Sequence, residues 1–151
     1  MVSKRFIRSS SSKGQSLVEF SLTLPILLIL VFGIIDFGLG LKSYISLTNA
    51  VREGARFGAV GNAAGTTLDC NGITSTTVYG RVCYTANGLD LTELTPSVTY
   101  PAGESPGESI VVTADYQYNF VTPLGDFMSF FSGGSFPEFI NLQASADMRL
   151  E

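Results

Sequence analysis

The sequence predicts an α+β fold in which a long N-terminal transmembrane helix extends into a small antiparallel β-sheet domain. Three observations lead there. Residues 22–41 form an apolar run whose only charged residue is Asp36. A basic segment precedes that run and an acidic body follows it. Beyond residue 108, two segments alternate apolar and polar side chains with the period of two expected of a strand with one wet face.

The chain has 151 residues, enough for one small domain and an anchor but not for two full domains. Residues 1–14 are basic and serine-rich and contain nothing that forms a core, so they read as a leader. Residues 15–60 carry one continuous helical pattern. A helix from near Leu17 to Val60 is about 66 Å long at 1.5 Å per residue, roughly twice the ~30 Å hydrocarbon layer of a bilayer. The first half is expected to be embedded and the second to project. Pro25 removes the donor to the Ser21 carbonyl, so a kink is expected there. Gly61-Asn62 supplies the stop. In the projecting half Ala50, Gly54 and Gly58 recur at four-residue spacing, with Ala55 and Ala59 beside them. Such a ridge admits a close backbone neighbour; the protein's own sheet is the expected one, a second helix the other candidate.

Residues 61–151 are expected to form an extracytoplasmic β-rich domain. Residues 78–84 read as a short strand carrying Cys83. Ile110, Val112, Ala114, Tyr116, Tyr118 and Phe120 give one alternating strand. Ile140, Leu142, Ala144, Ala146, Met148 and Leu150 give another. Residues 100–107, with two prolines and two glycines, read as a turn. Phe127, Met128, Phe130 and Phe131 form a dense aromatic cluster in a loop-like region. They are candidates for core packing or, if exposed, for a partner contact.

Charge gives orientation. Lys4, Arg5, Arg8 and Lys13 precede the apolar run, and no acid occurs before Glu19. Four of the nine basic residues thus lie before Gln15 and all thirteen acids after it. The remainder holds five basic residues, a net of −8. A basic flank followed by an acidic body places the N-terminus in the cytoplasm and the C-terminus outside the cytoplasmic (inner) membrane. The acidic body also disfavours nucleic acid, whose phosphates require a basic surface. Cys70 and Cys83, the only two cysteines, fall on the outer side, where one disulfide is the simplest expectation. It would close a loop of about 14 residues and contribute roughly 3 kcal/mol. Two unpaired thiols are the alternative.

Between the leader and the apolar run stands Gly14-Gln15-Ser16-Leu17-Val18-Glu19-Phe20. This resembles the type IV prepilin signature. The resemblance implies that a prepilin peptidase cuts after Gly14, that the mature chain starts at Gln15, and that Glu19 becomes the fifth residue with Phe20 behind it. Cleavage would create a charged amine at the edge of an apolar segment, where a charge costs several kcal/mol unless paired. A carboxylate one helical turn on, at Glu19, can neutralise that amine in its own chain or a neighbour's. The plain alternative is an interfacial acid favoured by the helix dipole. More broadly, GQSLVEF, LPILLILVFGIIDFG and AVREGARFGA, with the strand pattern before Thr122-Pro123-Leu124 and the ending SADMRLE, are similar to the TadE-like family. These are pseudopilins of tight-adherence, Flp-type pilus systems. The resemblance implies association with other pilins and with the pilus assembly machinery. The related TadG-like proteins share the anchor but usually carry a much larger outer domain.

Asp36 is read as lying at the outer headgroup boundary with Lys42 beyond it, or else as pairing with a basic group of another subunit. Arg52, Glu53 and Arg56 are read as a solvated face or a clamp to the sheet, with partner contact as the sharper alternative. The chain contains no histidine and no nucleotide-binding or hydrolase motif, so neither catalysis nor a cofactor is expected. Two other readings compete. One is a signal-anchored binding protein that keeps residues 1–14. The other is a secreted protein cut after Gly40, which the length of the apolar run and Asp36 within it disfavour.

Overall fold

The computed structural model describes residues 12–65 and 75–151. Its first element, α1, is one helix over Ser12–Ala59, 48 residues long. It begins about five residues before the start suggested by the apolar pattern, since hydrophobicity marks where lipid contact begins, not where helical hydrogen bonding can. The helix runs on through Pro25. Gly61 ends it, with φ 81° and its N–H donating to the Gly58 carbonyl. The Asn62 side chain adds a hydrogen bond to the Phe57 carbonyl at 2.8 Å. A left-handed glycine followed by a capping amide is a common way to satisfy the last carbonyls.

Burial divides α1 sharply. No residue from 14 to 35 is buried, and Asp36 is the first that is. From there a stripe faces inward: Ser43, Leu47, Ala50, Val51, Gly54, Ala55, Gly58 and Ala59. The spacing of three and four is that of one helix face. Residues 17–35 rise about 28 Å, close to the ~30 Å of a bilayer's hydrocarbon. This helix is long and apolar enough to cross a membrane and fits a single-pass anchor.

A second helix, α2, spans Val78–Thr85, where a strand was expected. Val78, Gly80 and Val82 alternate as a strand would, but Val78, Val82 and Cys83 also share a helix face, and a short apolar run does not distinguish the two. Thr77 decides it, in extended conformation with its hydroxyl accepting from Gly80 N–H at 3.1 Å. That is an N-cap.

The sheet has three antiparallel strands in the order β1–β2–β3: β1 over Leu94–Thr99, β2 over Ser109–Asn119 and β3 over Phe139–Arg149. β1 had no counterpart in the sequence reading. It is short and contains Pro96, which an edge strand tolerates. On β2, Ile110, Val112, Ala114, Tyr116 and Tyr118 are buried, as their alternation required. The other face is polar, with Thr113 and Ser145 hydroxyls 3.3 Å apart and Gln143 donating to Asp115 at 2.8 Å. A third helix, α3 over Leu124–Ser132, occupies the aromatic stretch read as a loop. It stops at Gly133, which is left-handed at φ 68°.

The core lies where α1, α2 and the sheet meet. An added Cβ at Gly54 would meet Val82, and one at Gly58 would meet Ile110 and Val78. The glycine ridge therefore packs against the protein's own sheet and α2. β2 runs back along α1: Ile110 lies by Gly58, Val112 by Gly54, and Tyr118 by Asp36. Glu151 N–H closes the far end on the Ala59 carbonyl at 2.8 Å.

Candidate functional site

Three clusters on α1 hold most of the residues singled out in the sequence; the aromatic cluster and Cys83 lie elsewhere. The first is the junction at Gly14. Gly14, Gln15, Glu19 and Phe20 all lie within α1 and are exposed. Gln15 and Glu19 are four residues apart, hence one turn apart on one face. The hydroxyls just beyond turn back onto the helix, Ser21 to the Val18 carbonyl at 2.8 Å and Thr23 to the Glu19 carbonyl at 2.9 Å. This back-bonding lets polar residues sit on an otherwise apolar face without an unsatisfied donor.

The second cluster is built around Asp36, which is only 3% exposed. Its Oδ1 accepts from Val121 N–H at 2.9 Å and Thr122 N–H at 3.3 Å, and its Oδ2 accepts from the Thr122 hydroxyl. The Tyr118 hydroxyl lies 3.2 Å from the Asp36 carbonyl and 3.4 Å from Oδ1. The Tyr118 ring packs beside Gly40, one turn on, where even an added Cβ would make only an ordinary contact at 3.6 Å. Burial raises the Tyr118 phenol above its ordinary pKa, and the neighbouring Asp36 charge adds to this. A carboxylate accepting several backbone and hydroxyl donors is a strong fastener. Its acceptor positions are filled from within the chain, by the segment leaving β2, where the sequence reading offered lipid headgroups or a second subunit. Tyr118, Val121 and Thr122 were not foreseen as its partners.

The third cluster ties α1 to α2. The Arg81 guanidinium reaches Glu53 at 2.6 Å, and Arg56 reaches it at 3.3 Å. Arg81 also stands over the Phe57 ring, 5.6 Å from its centre, a cation–π distance. The Arg81 hydrogen bond holds the Glu53 carboxyl below its ordinary pKa, against the partial burial that raises it; Arg56 helps. Glu53 thus clamps α1 to α2, where a clamp to the sheet was one expectation. Arg52 and Arg56 are exposed. Arg81 was missed in the sequence, although it is the only basic residue between Arg56 and Arg149.

Of the aromatic cluster, Phe127 and Met128 on α3 are half-buried and Phe130 is 81% exposed. The side chain of Phe131 lies outside the described ones. Phe120 and Phe136 close over the base of α3 with ring centres 5.8 Å apart. Cys83 is buried in the core, whereas Cys70, its expected partner, lies outside the described residues. An apolar groove of about 390 Å³ runs between α1 and the sheet, lined by Gly33, Phe37, Leu41, Phe120, Leu124 and Ile140 among others.

Comparison with known proteins locates the informative part of the chain. Residues 14–56 match the family model described as TadE-like protein. The match opens on Gly14 and takes in Glu19, Asp36, Glu53 and Arg56. No curated protein and no solved structure matches the chain.

Proposed function

Proceeding from a TadE-like segment at residues 14–56, we propose that this chain is a pseudopilin, a minor pilin-like component of a tight-adherence type IV pilus assembly system. α1 anchors it in the cytoplasmic membrane with the N-terminus inside, and residues 61–151 are presented outside to other pilins. The observation that carries the reading is the exposed apolar stretch of α1, bounded by Gly14-Gln15 at one end and buried Asp36 at the other.

Those two boundaries fit one bilayer. Gln15 and Asp36 are 21 residues apart, about 32 Å along a helix, against a hydrocarbon layer of ~30 Å. Cleavage after Gly14 by a prepilin peptidase would leave the new Gln15 ammonium at the inner boundary when Asp36 sits at the outer one. Glu19, one turn deeper, is then a carboxylate at the edge of hydrocarbon. Its countercharge is that ammonium, in its own chain or in a neighbour's. Pairing between chains would set the axial register of subunits. Because Asp36 fastens the outer domain directly to α1, fixing the helix register also fixes the height of the domain. The role is structural, and the absence of histidine from the chain accords with a component that does no chemistry.

The test is genetic and separates processing from assembly. Gly14→Ala is expected to abolish cleavage and leave the longer precursor in the membrane. Glu19→Ala is expected to be cleaved yet to lower the number of pili. Normal piliation in the Glu19→Ala strain would contradict the pairing mechanism. An uncleaved wild-type chain would point instead to a signal-anchored binding protein.

A further inference from the structure

We propose that the connection between β2 and β3, with α3 at its centre, is a second membrane contact that lies in the headgroup layer of the leaflet facing the domain. The inference rests on the reading of α1 as a membrane anchor, and it concerns a different part of the chain.

Position is the first argument. β2 runs antiparallel to α1 and ends beside Asp36, so the segment that follows emerges at the level where the stretch of α1 without a buried residue gives way to the half that carries a buried face. Val121 and Thr122 are held there by the Asp36 carboxylate. Leu124, the first residue of α3, shares a groove with Gly33 and Phe37 of α1, and Gly33 is nearly a full turn on the spanning side of Asp36. α3 therefore starts at the membrane surface.

Chemistry is the second. Residues 120–138 contain five phenylalanines on or beside α3, one methionine and no Lys or Arg; their only charges are Asp126 and Glu138. Phe130 is 81% exposed and Val121 69%. Around them Phe37, Leu41, Phe139 and Ile140 are exposed as well. These side chains continue the apolar surface of the spanning stretch past Asp36, up to the base of the sheet. A short helix with phenylalanines on one side and Asp126, Ser129 and Ser132 in its polar positions suits an interface that is wet above and oily below. With no basic residue in the segment, the contact is apolar and not a recognition of anionic lipid.

The chain has no tryptophan, so single reporters can be introduced. Full-length Phe130→Trp and, as a second reporter, Val121→Trp would be reconstituted in phosphatidylcholine vesicles whose acyl chains carry bromine at shallow or deep positions. Leu27→Trp on α1 reports the anchor, and Tyr84→Trp on α2 reports the water-exposed body. Phe130→Trp is expected to show blue-shifted emission and to lose it to shallow bromines more than to deep ones. Leu27→Trp should be quenched most by deep bromines, and Tyr84→Trp should be unaffected. If Leu27→Trp is quenched while neither Phe130→Trp nor Val121→Trp is, the anchor stands and the inference fails. Blue-shifted emission without quenching would mean that another protein chain covers α3, which also overturns it. If Leu27→Trp is not quenched either, the anchor reading falls, and the inference with it.

Discussion

Asp36 receives two backbone N–H groups and the Thr122 hydroxyl from the segment that leaves β2, with the Tyr118 hydroxyl close by. Removing that carboxylate strands part-buried donors, a penalty that adds to the loss of the hydrogen bonds themselves. Asp36→Ala is expected to destabilise the domain by about 2–4 kcal/mol, read by chemical unfolding of the detergent-solubilised chain. Asp36→Asn keeps one acceptor and should lose less. Equal stability of both variants with the parent would contradict the fastening role. At this scale the sequence displayed the residue but not its partners. An acid alone in an apolar run must be satisfied by something, yet Val121 and Thr122 are 85 and 86 residues away, and only the return of β2 brings them to it. Glu19 differs, because its assigned partner is one turn away and requires no tertiary contact.

Among the elements, α1 was legible because its signal is long: some twenty apolar residues and then a ridge of small ones at helical spacing. β2 and β3 were legible because eleven residues of alternation in each exceed what chance supplies. The shorter elements were not. Eight residues of α2 satisfy both periods, and only the Thr77 cap separates them. Six residues of β1 with a proline inside carry almost no pattern. α3 was hidden because its phenylalanines and flanking glycines resemble a loop as much as a helix. The glycine ridge gives the element-scale prediction. Gly54→Ala and Gly58→Ala place a methyl group against Val82 and against Ile110 with Val78, and overpacking of this kind costs about 1–3 kcal/mol. Gly38→Ala meets nothing within 4 Å and should leave the unfolding midpoint unchanged. A Gly54→Ala variant as stable as Gly38→Ala would show that the ridge is not held against the sheet.

For the molecule as a whole, α1 fits a membrane anchor in its first part and is the core helix in its second: residues 14–35 present no buried side chain, and those from Asp36 on carry the inner face of the domain. On the proposed orientation the domain lies outside the cytoplasm, where Cys83 with Cys70 would form a disulfide. Intact mass after alkylation without reductant is expected to show no adduct, and two adducts after reduction. Adducts on both thiols without reductant would contradict that pairing and the oxidising compartment it implies. The most direct test of the whole account is the N-terminal residue of the protein extracted from its native membrane. A mature chain beginning at Gln15 is the predicted result, with the amine that Glu19 is proposed to neutralise. A chain that still begins at Met1 would contradict it, because the charge that organises the anchor would then never arise.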